Sequence, residues 1–256
     1  FAGGEECVKF YQTPNYYSWD PSIVVFFSFA LFFAMILSDA GYAILFLGGL
    51  ALKWKSLGQS AKGLRVRTLL LVTLSASLAW GVLVGSYFGF SPDPHTLVGH
   101  LKLLDMNDFD AMMKLSIIVG VSHIAFANLV QAYQLKQKTT RFAALGWALF
   151  VIGGLMLWLS MGGDSLLLER SAQAILVLAT LALVVFSSER VVGKPTDVIF
   201  RLLEGIMSLT SITKIFGDVL SYMRLFALGL ASASLAITFN QLAMQVYHAM
   251  PGLGLL

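Results

Sequence analysis

The sequence is short of charge and of cysteine. Only 12% of its 256 residues are charged, about half the fraction usual for soluble domains. A single cysteine, Cys7, excludes a disulfide within the chain, and no His/Cys cluster has metal-ligand spacing. A phosphate-binding loop of the GxxxxGK[ST] kind is also missing. These absences argue against redox, metal-dependent or nucleotide-hydrolysing chemistry in this chain, and they predict neither a metal nor a cofactor.

The chain instead contains long apolar runs, and 57% of its residues are hydrophobic. Each run is long enough to cross, or nearly cross, a bilayer core of about 30 Å as a helix. Because unpaired backbone groups are costly in lipid, the sequence predicts an all-α integral membrane protein. The runs occupy 22–52, 68–90, 113–135, 142–160, 172–186 and 206–247.

The first run is too long for one span, since its 31 residues would extend roughly 47 Å as a single helix. We predict a break near residues 38–41, where Asp39 could cap the second helix. With this break the chain has seven transmembrane helices, and without it six; the last is long and tilted. The predicted domains are a polar membrane approach at 1–21, interpreted as the remnant of a cytoplasmic part, and a transmembrane domain at 22–256 with spans at about 22–38, 40–53, 68–90, 113–135, 142–160, 171–187 and 205–247.

The charges of the connections predict the orientation. Residues 53–67 hold five basic residues and no acidic one, whereas residues 91–111 hold four aspartates and one lysine. Because cytoplasmic loops carry an excess of Lys and Arg, we expect a cytoplasmic amino terminus and a carboxyl end outside. The basic loops also account for the formal charge of +3, so no nucleic-acid role is inferred.

Arg224 is the only charged residue between Val219 and Tyr247. An arginine at bilayer depth costs from roughly 3 to more than 10 kcal/mol unless it has water or a carboxylate beside it. It keeps its proton at any relevant pH, so it can serve as a gate or a counter-ion but not as a proton relay. On a helical wheel, small and hydroxyl side chains lie within about 80° of Arg224: Thr210, Thr213, Gly217, Ser221, Ala227, Ala231, Ser234 and Thr238. Packing against a neighbouring helix of the same bundle would explain this face equally well.

Other polar residues of the apolar runs are candidates for lining an ion path. Lys214 and Asp218 could instead pair with each other, four residues apart on one helix. For His123, interhelical hydrogen bonding is favoured over conduction, and Asn240 and Gln241 could line water or bond to neighbours. Glu204 is either interfacial or part of an aqueous vestibule. The ion half-channel candidates are Asp218, Lys214, Ser221, Tyr222, Ser232, Glu204, Asn240, Gln241 and His123.

Glycines recur in two of the runs. Gly81, Gly85 and Gly89 form a double GxxxG pattern, and Gly153 and Gly154 are adjacent in the fourth run. Both patterns predict close helix packing.

The segment FGDVLSYMRLFALGLASASLA (216–236) closely resembles the signature helix in the membrane domain of subunit I of V/A-type rotary ATPases, called subunit a in eukaryotes. The stretches FFAMILSDAGYAILFLGG (32–49) and GVLVGSYFGF (81–90) are also similar to that family. The resemblance implies a stator beside a ring of proteolipids, each with a membrane carboxylate, and two offset half-channels that lead to the ring. Arg224 matches the family's essential arginine. Seven spans rather than six are also implied.

The resemblance implies partners as well: the proteolipid (c/K) ring, the lipid bilayer, and a peripheral stalk and soluble ATPase head reached through a cytoplasmic domain. That head would hydrolyse or make ATP, while this chain would move H⁺ or Na⁺. The sequence lacks the family's amino-terminal domain and its eighth span with a second arginine, so we expect a fragment. Eukaryotic members place histidines near the arginine where this chain has Asp218 and Ser232, which favours a prokaryotic type in a plasma membrane.

Two other classes of protein remain open from the residues alone. A self-contained secondary transporter could use Arg224 as counter-charge to an anionic substrate held between its helices. A passive scaffold would not need Arg224 for ion pumping at all. A transporter should move solute as a single chain, whereas a stator needs its proteolipids.

Overall fold

A computed structural model of the chain describes residues 4–5, 20–93, 95–105, 108–135, 138–162, 165–190 and 194–249. The described part contains no β-strand apart from an isolated bridge between Tyr87 and Phe90, so the all-α prediction is confirmed. The predicted polar approach at 1–21 lies almost wholly outside the described residues. The helices are α1 (Ser22–Leu37), α2 (Ala40–Leu52), α3 (Trp54–Leu57), α4 (Ala61–Val84), α5 (Phe109–Gln134), α6 (Arg141–Ser160), α7 (Leu166–Phe186), α8 (Pro195–Ser208) and α9 (Ile212–Ala249), with 3₁₀ turns at Gly99–Leu101 and Leu209–Ser211.

Five helical segments of the described chain are long and apolar enough to cross a membrane: α4, α5, α6, α7 and the stretch Thr196–Ala249. Helices α1 and α2 are apolar but shorter, with 16 and 13 residues. The chain is therefore an all-α membrane protein, whereas the number of seven spans stays a prediction. Helix α9 has 38 residues and extends roughly 57 Å, nearly twice the thickness of a bilayer core.

The end of α4 differs from the predicted span 68–90. Ser60 caps the start of the helix by accepting a hydrogen bond from the Gly63 backbone N–H at 3.0 Å. The helix ends at Val84 because Gly85 adopts a left-handed conformation with φ of 72°. Gly85 and Gly89 therefore lie beyond the helix, and the prediction that they form a helix-packing face with Gly81 is wrong.

The chain divides into two compact units, Phe1–Met113 with Arg224–Leu256, and Lys114–Met223. In the first unit, α1 and α2 both pack on α4. The predicted break between them is confirmed: Ser38 ends α1 with φ of 46°, and Asp39 caps α2 by accepting a hydrogen bond from the Tyr42 backbone N–H at 3.0 Å.

Gly81 lets α4 approach this break, because a Cβ there would lie 2.2 Å from the Ala40 backbone nitrogen. We expect Gly81→Ala to lower the free energy of unfolding by about 1–3 kcal/mol through overpacking. A Cβ at Gly48 in α2 would have no atom within 4 Å, so the matched variant Gly48→Ala should be neutral or stabilising by up to about 1 kcal/mol. Thermal unfolding of both variants in one detergent measures the difference. Equal midpoints would contradict the packing described here.

In the second unit, α6 and α7 make the most extensive helix contact of the described chain. Gly146 faces Leu183, and Gly153 faces Leu176, so the two helices run antiparallel. The predicted packing role is thus confirmed for Gly153. A core forms around α5 and α6, with side chains of α9 against it; its members are Val121, Ala125, Val151, Ile117, Ile124, Ile152, Leu155, Ile215 and Val219.

Candidate functional site

Helix α9 has one covered face and one exposed face. Most of its residues up to Asn240 that lie within about 60° of the direction opposite Arg224 are buried or half-buried. In the second unit these are Ile212, Ile215, Val219 and Tyr222, and in the first unit they are Phe226, Gly229, Leu230, Ala233, Ala236 and Asn240. This covered face accounts for the packing of α9 on its own chain.

Arg224 itself is exposed. The small residues predicted to flank it are also exposed, except for the half-buried Ser221; the exposed ones are Thr210, Thr213, Gly217, Ala227, Ala231, Ser234 and Thr238. Leu228 and Leu235 on the same side are 48% and 59% exposed. The face around Arg224, here called the small-residue face, is therefore left uncovered by the described part of the chain.

In the second unit, His123 of α5 anchors α9 through Tyr222. The His123 Nδ1 atom and the Tyr222 hydroxyl are 2.7 Å apart, and the two rings meet edge to face with centroids 5.9 Å apart. Gly120 makes room for the contact, since a Cβ there would lie 2.7 Å from Tyr222 Cγ. The prediction of interhelical hydrogen bonding by His123 is confirmed.

In the first unit, the turn after α4 anchors the carboxyl-terminal part of α9. The Asn240 side-chain amide donates a hydrogen bond to the Phe88 carbonyl at 2.6 Å. Gly89 has φ of 77°, and a Cβ on it would lie 2.8 Å from Ala236 Cβ, so both its conformation and its contact require glycine. Asn240 thus bonds to a neighbour, whereas Gln241 is exposed.

Asp39 organises this turn. Its buried carboxylate accepts hydrogen bonds from the Ser86 hydroxyl at 2.7 Å and from the backbone N–H groups of Phe88, Gly89 and Tyr42 at 2.9, 3.0 and 3.0 Å. Burial raises the pKa of Asp39, but these hydrogen bonds outweigh it and hold the pKa below its ordinary value. The sequence predicted only the cap, because no local pattern links Asp39 to residues about fifty positions away.

The remaining candidates differ in their exposure and contacts. Lys214 and Asp218 are both exposed. Within the described part of the chain no salt bridge joins these two side chains, so the prediction that they pair is wrong. Glu204 on α8 accepts hydrogen bonds from the Ser188 hydroxyl and, at 2.8 Å, from the Arg190 guanidinium. Ser232 is half-buried. Within the described residues, no three His, Cys, Asp or Glu side chains are grouped so that they could hold a metal ion.

The fold and this helix define an all-α membrane protein that presents a permanent cation on an uncovered face of its longest apolar helix. The chain is homologous to proteins named V-type or A-type ATP synthase subunit I. It is 25% identical over 93% of its length to the V-type protein of Chlamydia pneumoniae, 27% over 90% to that of Borreliella burgdorferi and 24% over 98% to the A-type protein of Methanocaldococcus jannaschii. No family model matches the chain.

These relatives confirm the resemblance first seen in residues 216–236, and they include bacterial and archaeal proteins. The chain spans less than half the length of each, 44%, 40% and 40% respectively. Each of these relatives is named as a subunit of an ATP synthase.

Proposed function

We propose that the chain is the membrane part of an ion-translocating stator subunit in a V/A-type rotary ATPase or ATP synthase. In this role Arg224 faces the carboxylates of a proteolipid ring and couples H⁺ or Na⁺ transport to ring rotation. The subunit itself hydrolyses no ATP and works only within the complex, whose soluble head and peripheral stalk are further partners.

The observation that carries the proposal is the uncovered small-residue face around Arg224. Small side chains let a neighbouring helix approach closely, and a guanidinium at the centre of such a face is suited to meet a carboxylate from that helix. Within the described residues the opposite side of α9 is the covered one, which supports a neighbouring molecule as the partner of the small-residue face. The homology to ATP synthase subunits supports a ring of proteolipids as this partner.

The proposed mechanism follows from the permanent charge of Arg224. A ring carboxylate that arrives at the guanidinium is stabilised in its ionised form, so it releases its ion into one half-channel. As the ring moves on, the carboxylate leaves the guanidinium and is neutralised by an ion from the other half-channel. The fixed cation between the half-channels opposes direct ion leakage. The candidates for lining the half-channels are the exposed Asp218 and Lys214, together with Ser221, Tyr222, Ser232, Glu204, Asn240, Gln241 and His123.

The proposal is tested by reconstituting the full-length subunit into vesicles with and without its proteolipids and soluble head. ATP-driven ion uptake should require all of them, and a small apolar protein with one membrane carboxylate should co-purify with the subunit. Solute movement by the subunit alone would instead support the secondary transporter, in which Arg224 is the counter-charge to an anionic substrate.

A bulky side chain on the small-residue face should obstruct the ring. We expect Ala231→Trp to weaken association with the proteolipids by roughly 5- to 150-fold, because overpacking costs about 1–3 kcal/mol. Folding of the subunit should be unaffected, since Ala231 is exposed. Ala174 on α7 is also exposed, so Ala174→Trp serves as the matched control. Co-purification of the ring with each variant measures the effect, and equal recovery would contradict a contact at Ala231.

A further inference from the structure

Helix α8 has its apolar and polar sides arranged opposite to those of a helix in a water-soluble protein. Its apolar side chains lie within about 100° of Ile199 on the helical wheel and are exposed, with Ile199, Ile206 and Met207 at 61%, 53% and 70%. Leu202 and Leu203 are exposed on the same side at 40% and 49%. This set, 199, 202, 203, 206 and 207, is here called the apolar face of α8.

The polar side of α8 packs on its own chain. The Arg201 Nε–H group donates a hydrogen bond to the Val185 carbonyl at 3.2 Å, and the Ser208 hydroxyl donates to Ser187 Oγ at 3.0 Å. Between them, Glu204 accepts hydrogen bonds from the Ser188 hydroxyl and the Arg190 guanidinium. These three polar side chains of α8 are thus bonded within the protein, whereas its apolar face points outward.

These contacts also show that α8 crosses the end of α7 instead of running beside it. Arg201 contacts Val185, Gly205 packs on Val184 and Ser208 contacts Ser187. From Arg201 to Ser208 the axis of α8 advances about 10 Å, yet every partner named here lies in the last turn of α7 or directly after it, within residues 184–190. If the two helices lay alongside each other, residues further along α8 would contact residues correspondingly further along α7. Over this length α8 therefore remains at the level of the end of α7.

The end of α7 has the features of a segment that leaves the membrane. Helix α7 is one of the segments long and apolar enough to cross it, and its last turn is followed by Ser187, Ser188, Glu189 and Arg190. A helix that stays at this level and turns an apolar face outward matches the amphipathic helices that lie in the membrane interface.

We propose that α8 lies in the plane of the membrane surface and embeds its apolar face in the lipid leaflet at the end of α7. Lipid is the occupant of this face because five exposed apolar side chains on one side of a helix are unfavourable in water. Acyl chains can contact these side chains without breaking the hydrogen bonds that the polar side chains make on the other side of α8. The last membrane crossing then begins after the 3₁₀ turn Leu209–Ser211 and not at residue 205. The proposal does not depend on the ion-translocating role of the subunit.

Depth measurements with spin labels test the orientation of α8. The full-length subunit, reconstituted with its complex in vesicles, is prepared with Cys7 and any other cysteine replaced by serine. Single variants Ile199→Cys and Ile206→Cys are then labelled with a nitroxide, and depth is obtained from collisions with oxygen and with a water-soluble nickel chelate. We expect both labels to contact lipid at equal depth, within a few ångströms.

Helix α7 offers a control with the same spacing. Leu178 and Val185 are also seven residues apart and exposed, at 63% and 41%, and labels at these two positions should differ in depth by about 10 Å if α7 crosses the membrane. A similar difference between positions 199 and 206 would show that α8 crosses the membrane and would overturn the proposal. Labels on α8 that the nickel chelate reaches freely would place the face in water, and labels shielded from both reagents would show a protein partner; either result also overturns it.

Discussion

Arg224→Lys is expected to reduce ATP-driven ion pumping by roughly 10- to 150-fold while the complex still assembles. Lysine keeps the positive charge but loses the planar fork that binds both oxygens of a carboxylate. The loss of one charge-assisted hydrogen bond costs about 1.5–3 kcal/mol, which corresponds to this range of rates if the carboxylate contact limits turnover. Ion uptake by reconstituted vesicles, normalised to the amount of assembled complex, measures the effect.

Arg170→Lys provides the control for this experiment. Arg170 on α7 is exposed and is not part of the small-residue face, so the same replacement there should leave pumping unchanged. Arg224→Ala, which also removes the charge, should impair pumping at least as much as Arg224→Lys. Pumping at the wild-type rate by Arg224→Lys would contradict a bidentate role, and pumping by Arg224→Ala would favour a passive scaffold.

Asp39→Ala is expected to cause the largest loss of stability among the variants considered. The substitution removes the acceptor of four hydrogen bonds, and a buried donor left without a partner costs about 1–3 kcal/mol. If two of the four donors stay unsatisfied, the free energy of unfolding falls by about 2–6 kcal/mol. The effect should reach α9, because the turn that Asp39 holds provides the contacts to Asn240 and Ala236. Thermal unfolding in detergent, with proteolysis near residue 240 as a local probe, tests both expectations.

Asp93→Ala is the matched control. Asp93 also accepts a backbone hydrogen bond, from the His95 N–H at 2.9 Å, but the site is exposed, so water can replace the lost acceptor. We expect a change within about 0.5 kcal/mol for this variant. Equal destabilisation by the two alanine variants would show that the Asp39 network does not hold the first unit together.

The pH dependence of the Asp39 effect has a defined sign. The folded-state pKa lies below the ordinary value of 3.8, so the ionised carboxylate stabilises the fold. This contribution is fully present above the ordinary pKa and is lost as the pH falls through the lowered one. The difference in unfolding temperature between the wild type and Asp39→Asn should therefore be constant above about pH 5 and shrink below about pH 4. A difference that grows on acidification would contradict the assignment.

Local patterns predicted local features of this chain well. The cap at Asp39 and the break beside it could be predicted because a carboxylate can reach backbone amides a few residues ahead. The same reasoning failed for Gly85 and Gly89, since GxxxG spacing has meaning only while the chain remains helical. It also failed for Lys214 and Asp218, whose spacing permits an ion pair without requiring one, because an exposed pair gains little energy.

For the candidate site, the sequence identified Arg224 and its small neighbours but left two interpretations of this face open: a gate or counter-ion that meets a partner, or packing against another helix of the same bundle. The pairings His123 with Tyr222 and Asn240 with Phe88 join residues about 100 and 150 positions apart, and no periodicity predicts such contacts. They matter because they lie on the face of α9 opposite Arg224. The membrane orientation, the number of spans and the half-channel residues stay predictions.

The sequence by itself determined that this chain is an all-α membrane protein with a single charged residue, Arg224, between Val219 and Tyr247, because apolar length and the position of a charge can be read from the order of the residues. Only the tertiary structure decided which side of α9 is covered and which is left open, and that α8 crosses the end of α7. The physical reason is that the sequence gives only the order of side chains around a helix axis. Hydrogen bonds between distant residues and close contacts at glycines determine which side of the helix faces the rest of the protein and where the helix lies.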